Sequence, residues 1–273
     1  MSIFEAIVLG LVQGLTEFLP ISSSAHLVLV PWFLGWKDPG LAFSVILHLG
    51  TLVAVVGYFL GDWLRLLRAG IASILDRKIG YERDRQMFWM FFFGSLPVGI
   101  AGLVFHDLSA GALRSPLLIA ISLAAVGFLM YWVDARCPPY RNLQDMTMKD
   151  ALWIGFAQMF ALIPGVSRSG STMTMGRFLG VNRESAARFS FLLSVPIIFA
   201  AGVVEVKGYY EAGGFAVENV GALAAGFFAS LVAGWVSIHG LLGYLRNADF
   251  SLFAWYRILI AVGIVAFSLV TGH

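Results

Sequence analysis

Glu17 stands in the otherwise apolar run Ile3–Leu19, four residues after Gln13. That spacing puts the two side chains on one face of a helix. A carboxylate in such a run is costly to keep from water and marks a functional site by default; the bland reading is a carboxylate satisfied by a backbone group or an arginine. Beyond Pro20 come Ser22, Ser23, Ser24 and His26. Three hydroxyls after a proline are a helix-start signal, because they cap free N–H groups. For any one of these serines, capping is as good a reading as chemistry. His26 falls near the first turn of the next helix, close to Glu17, where an imidazole can act as acid, base or nucleophile.

A second cluster, Pro164-Gly165-Val166-Ser167-Arg168-Ser169-Gly170-Ser171-Thr172, offers different chemistry. Glycine lets backbone N–H groups approach a ligand closely. The helix start that follows presents unpaired donors and partial positive charge. Arg168 adds a planar fork suited to phosphate oxygens. An anionic, oxygen-rich ligand needs this set. The plain alternative is a capped helix break with Arg168 paired to Glu17, and a resting enzyme is compatible with both.

The two clusters sit in a duplication. Glu5-Ala6, Gly10 and Gln13 match Asp150-Ala151, Gly155 and Gln158, Pro20 matches Pro164 after a one-residue slip, and Phe43-Ser44 matches Phe189-Ser190. Two homologous halves, about residues 1–140 and 141–273, are therefore expected to meet around one site in a single membrane domain. The chain is 59% hydrophobic and 12% charged, against roughly 25% charged for a soluble domain, so it reads as an integral membrane protein. A net charge of +2 gives no reason to expect nucleic acid. One cysteine, Cys137, excludes an internal disulfide framework. The N-terminus lacks a basic segment and does not read as a cleaved signal.

Six stretches read as spans: Leu41–Leu60, Met87–Phe105, Pro116–Val133, Phe189–Val204, Val220–Leu245 and Ser251–Val270. The last carries Arg257, expected to snorkel or to pair inside the bundle. Ile3–Leu19, Ser23–Leu34, Asp150–Ile163 and Ser169–Leu179 are too short or too broken to cross, and read as two re-entrant helical hairpins. The fold class is thus all-α, six transmembrane helices plus two re-entrant hairpins. One hairpin and three spans per half make the halves run in opposite directions, an inverted-topology repeat. The segment 61–86, read as a loop, holds Arg65, Arg68, Arg77, Lys78, Arg83 and Arg85, and Arg136, Arg141, Lys149, Arg183, Arg188 and Arg246 fall on the same side. Lys37, Arg114 and Lys207 fall on the other. The basic side should be cytoplasmic, so the first hairpin enters from outside and the second from inside. His48, which matches Ser194, either faces the cavity or is a packed polar residue, the second being the favoured reading, and His106 and His239 have no constellation around them.

With these residues the chain resembles the bacterial undecaprenyl-diphosphate phosphatase family, also called the bacitracin-resistance protein family. The resemblance runs nearly end to end and rests on Gln13-Gly14-Leu15-Thr16-Glu17-Phe18-Leu19-Pro20, on Ser22-Ser23 with His26, and on Pro164 to Gly170. Gln13 and Glu17 satisfy the family's (Glu/Gln)-x-x-x-Glu motif in its Gln form, and Ser24-Ala25 stands where many members have Thr-Gly. The resemblance implies an enzyme of the bacterial inner membrane that converts the C55 isoprenyl diphosphate to the monophosphate, recycling the carrier for cell-wall synthesis. It also implies a divalent cation, Mg²⁺ or Ca²⁺, with Glu17 as the expected protein ligand.

The expected catalytic set is Glu17, Ser23, His26 and Arg168, with Gln13, Ser22, Ser167, Ser169, Gly170 and Thr172 binding substrate. Ser23, His26 and an activated water all stand open as the attacking group. The site is expected to open to the outer face, with membrane lipid and the isoprenyl diphosphate as partners; a homodimer is an open expectation. The competing reading is a lipid-phosphate flippase, which inverted repeats with broken helices would suit equally. The hydroxyls, His26 and Glu17 gathered around one arginine favour the enzyme.

Overall fold

The structure, a computed structural model, describes residues 1–37, 40–105, 115–211 and 220–271; His106 and Arg114 lie outside them. Eleven α-helices account for most of the described residues, and the sole β pairing among these is the isolated bridge Arg141–Val181. In chain order they are α1 (Ile3–Phe18), α2 (Ser23–Leu34), α3 (Gly40–Tyr58), α4 (Leu60–Leu75), α5 (Arg83–Val104), α6 (Pro116–Arg136), α7 (Met148–Met159), α8 (Arg168–Phe178), α9 (Arg183–Glu211), α10 (Val220–Tyr244) and α11 (Ser251–Thr271).

The duplication is visible in the way the helices begin. α1 starts with a capping box between Ser2 and Glu5, and α7 with one between Thr147 and Asp150. In each, a hydroxyl accepts from the third helical N–H and the carboxylate accepts from the cap residue's own N–H. The repeat pair Glu5/Asp150 is thus one structural device used twice.

Among the described residues five helices, α5, α6, α9, α10 and α11, contain stretches long and apolar enough to cross a bilayer. The expected span Leu41–Leu60 corresponds to α3, which meets that test jointly with α4 across an 81° bend. The bend corrects the reading of residues 61–86 as a loop: α4 occupies its first part. Its inner stripe, Trp63, Leu66, Gly70 and Ser73, is buried, while Leu60, Leu64, Leu67, Ile71 and Ile74 repeat at helical spacing on an exposed face. Arginines between the stripes masked that pattern in a residue count.

The hairpins cross over between halves. α1 lies along α10, and α7 lies along α5, so each short helix packs on the middle long helix of the other half. Small residues make the approach possible, as in helix pairs within lipid generally. A Cβ at Gly155 would overlap the carbonyl oxygen of Gly94, and one at Gly10 that of Gly226. α3 and α9 pack together between the two hairpins. A buried cluster including Phe18, Phe59, Phe91, Phe189 and Phe191 fills the bundle on the side of the basic segments. There Phe18 meets Phe191 edge to face at 5.3 Å.

Candidate functional site

Both hairpins break for the same local reason. Leu19 is extended (φ −66°, ψ 141°) ahead of Pro20, whose ring disfavours the helical conformation in the residue before it. In the second hairpin Ile163 is extended (φ −84°, ψ 118°) ahead of Pro164. Each chain then passes through a serine at positive φ, Ser22 (77°) and Ser167 (74°), before re-entering helix. A non-glycine residue there costs of order 1–3 kcal/mol and persists only where its surroundings over-determine it. The two turns share a further detail: Ser22 Oγ lies 3.2 Å from Ser24 Oγ, and Ser167 Oγ 3.2 Å from Ser169 Oγ.

Ser23 and Arg168 are therefore the first helical residues after matching breaks, and both reach Glu17. Oε2 of Glu17 accepts from Ser23 Oγ at 2.6 Å and from Gln13 Nε2 at 3.0 Å, while Oε1 accepts from Arg168 Nη2 at 3.0 Å. Arg168 Nη1 donates to the Ser190 carbonyl at 3.0 Å, and Thr172 Oγ1 lies 2.7 Å from Ser190 Oγ. Ser169 Oγ donates to the Leu19 carbonyl at 3.0 Å, tying one break to the other. Glu17 is 6% exposed, yet its charge is matched by Arg168 and its oxygens are bonded, the condition under which a buried carboxylate is tolerated.

Of the residues singled out in the sequence, Gln13, Glu17, Ser23, Arg168 and Thr172 belong to one connected network. Ser22, Ser167 and Ser169 shape the breaks. The N–H of Gly170 is taken by Ser167 Oγ at 3.0 Å and that of Ser171 by the Ser167 carbonyl at 2.9 Å. These two donors are thus committed within the loop, and the Arg168 guanidinium is a charged group beside them suited to phosphate oxygens. His26 stands apart, sharing no hydrogen bond with Glu17, Ser23 or Arg168 among the described residues. Its Nδ1 donates to the Ser22 carbonyl at 2.7 Å, which leaves Nε2 of the neutral ring to accept from Tyr256 Oη at 2.8 Å.

Three residues outside the expected catalytic and binding sets complete the site. His48 Nε2 lies 3.6 Å from Glu17 Oε2, with Nδ1 donating to the Ser44 carbonyl at 2.7 Å. Ser190 holds Arg168, and its signal was present in the match of Phe43-Ser44 to Phe189-Ser190. Arg257 does not snorkel: it is fully buried and bonded to main-chain carbonyls at both breaks.

No group of three or more His, Cys, Asp or Glu side chains able to hold a metal ion occurs among the described residues. The site does offer oxygen: the Glu17 carboxylate, the Ser23 hydroxyl and Gln13 Oε1, a buried acceptor with no hydrogen-bond partner. That set fits a hard cation taking one carboxylate and drawing its other ligands from water and a diphosphate, as Mg²⁺ commonly does.

Residues 6–263 match the family model described as bacitracin resistance protein BacA. An undecaprenyl-diphosphatase of Pelotomaculum thermopropionicum is 45% identical, covering 97% of this chain and 96% of that protein. One of Gemmatimonas aurantiaca is 46% identical over 98% of each chain, and one of Desulforudis audaxviator 44% identical over 100% of each. A match of this length takes in both hairpins and the helices that carry them, and the chain belongs to the bacitracin resistance protein BacA family.

Proposed function

We propose that this multi-pass membrane protein hydrolyses undecaprenyl diphosphate to undecaprenyl phosphate and inorganic phosphate, recycling the lipid carrier for cell-wall synthesis and lowering the pool of the diphosphate. One observation carries the chemistry: the Ser23 hydroxyl donates at 2.6 Å to a carboxylate whose other oxygen is held by Arg168. A serine is a weak nucleophile until an adjacent base takes its proton. On this reading Glu17 accepts that proton as Ser23 Oγ attacks the terminal phosphorus. The bond from phosphorus to the bridging oxygen breaks, and its electron pair leaves with the lipid monophosphate, which takes up the proton from Glu17. Water then cleaves the phosphoserine, its proton passing through Glu17 to Ser23. Arg168 exchanges its contact with Glu17 for the terminal phosphate and stabilises charge developing on the equatorial oxygens.

Glu17 and Gln13 Oε1 are the residues we assign to a divalent cation, Mg²⁺ or Ca²⁺, which would neutralise diphosphate charge when bound. We assign six spans and two re-entrant hairpins in an inverted repeat, with α4 on the cytoplasmic surface of the inner membrane. The site is read as opening outward. Ser23, Ser24, His48 and Arg168 are its partly exposed members, whereas the Phe18–Phe191 contact and the apolar cluster around it fill the bundle toward the basic side. The lipid tail stays in the bilayer while the head reaches the hairpins.

Phosphate release from undecaprenyl diphosphate by purified protein in detergent tests the reading. Turnover is expected. A flippase would release none, because detergent provides no second compartment.

A further inference from the structure

Tyr256 and Arg257 are neighbours on α11, and between them they reach both hairpin breaks. Arg257 Nη1 donates to the Pro20 carbonyl at 3.0 Å, and Nη2 to the carbonyls of Gly165 at 2.7 Å and Val166 at 3.1 Å. Its Nε donates to the Leu123 carbonyl of α6 at 3.2 Å. Helix breaks leave carbonyls without intrahelical partners, and such groups are costly when buried. One side chain, 0% exposed, satisfies such carbonyls on both sides of the repeat. Tyr256 acts one atom pair further out. Its ring stacks on His26 with centroids 5.7 Å apart, its hydroxyl meets His26 Nε2, and His26 Nδ1 holds the carbonyl of Ser22. Ser22 is the positive-φ residue immediately before Ser23.

We propose that Tyr256 and Arg257 are positioning residues for the phosphatase reaction, Arg257 setting the two breaks at a fixed separation and Tyr256 aiming Ser23 through His26 and the Ser22 carbonyl. The proposal rests on the reading above for its chemistry, but not for its geometry. A mere packing role would not require the tyrosine hydroxyl, since phenylalanine fills the same stack. Nor would it require a fork, since a lysine ammonium is a point charge that cannot span carbonyls on two hairpins.

The test uses the full-length protein in detergent, with Tyr256→Phe, His26→Ala, their combination, and Arg257→Lys. Steady-state phosphate release is read together with hydrogen exchange of the hairpin peptides. Tyr256→Phe should keep the wild-type melting temperature and KM and lose about tenfold or more in kcat, the scale on which misplacement of a reacting group acts. The same change in a His26→Ala background should cost nothing further. Exchange should rise in the peptide around Ser22–His26 for Tyr256→Phe, and at both breaks for Arg257→Lys. Additive losses in the double variant, a raised KM with kcat intact, or unchanged exchange would each overturn the proposal. A wild-type protein that releases no phosphate would sink the phosphatase reading instead, while the exchange data would still decide the clamp.

Discussion

Ser23 and Arg168 stand at equivalent places in the two repeats, each one residue beyond a serine at positive φ, and each donates to a different oxygen of Glu17. The duplication thus built two matching turns and filled them with unlike groups. On the proposed mechanism one holds the hydroxyl that attacks and the other the cation that receives the phosphate. A single carboxylate between them bonds both groups before substrate arrives.

Replacement of Ser23 by alanine should lower kcat by at least about a thousandfold, as loss of a nucleophile does elsewhere. Ser24→Ala, which removes a hydroxyl bonded to Ser22 rather than to Glu17, should stay within about tenfold by comparison. Brief reaction with labelled diphosphate followed by acid quench should trap phosphate on wild-type protein and none on Ser23→Ala. Equal labelling of both would transfer the nucleophile's role elsewhere.

Arg168→Ala should cost about 3 kcal/mol or more in transition-state stabilisation, a hundredfold or greater fall in kcat. Arg168→Lys should restore little, because the native side chain holds Glu17 with one nitrogen and Ser190 with another. Activity within tenfold of wild type in either variant would remove the guanidinium from phosphate binding.

His48 lies against Glu17 with its Nδ1 anchored on Ser44. His48→Leu places an apolar group beside the carboxylate and should lower kcat by about tenfold, the scale of one lost polar contact. His48→Gln, whose amide can occupy the Nε2 position, should recover most of that loss. Kinetics of the pair in one detergent preparation suffice; a fully active leucine variant would return His48 to the packed role expected from sequence.

Gly155→Ala should destabilise the protein by at least about 1–3 kcal/mol, because the added methyl meets the backbone of Gly94 rather than a side chain that could turn away. Gly263→Ala, where nothing lies within 4 Å of the new atom, is the matched control and should leave the melting temperature in place. Comparable melting of the two variants would argue against the close crossing of α5 and α7.

Much of the site was legible because it is local. Gln13 and Glu17 share a face by spacing alone, the serines follow a proline, and Arg168 sits in a loop of glycines and hydroxyls. What escaped is non-local. His26 looks in the sequence like a partner of Glu17, but it is turned to Tyr256, 230 positions away. His48 gained its place only when α3 crossed the hairpin, and Arg257 could be guessed as costly but not as a bridge between two breaks. The long helices were readable from apolar runs. α4 was not, because Arg65 and Arg68 interrupt its stripe and a count of charges says nothing about which face they occupy.

The crossing of each hairpin onto the other half has a consequence for how the molecule is made. α1 emerges from the ribosome long before the helix it lies along, α10, which begins at Val220. Until that segment has followed, the glycine face of α1 has no groove to occupy, and Glu17 has no Arg168 until residue 168 is in place. A nascent or truncated chain therefore carries Ser23 and Glu17 without the cation opposite, and the network closes only when each hairpin has packed onto the other half of the chain.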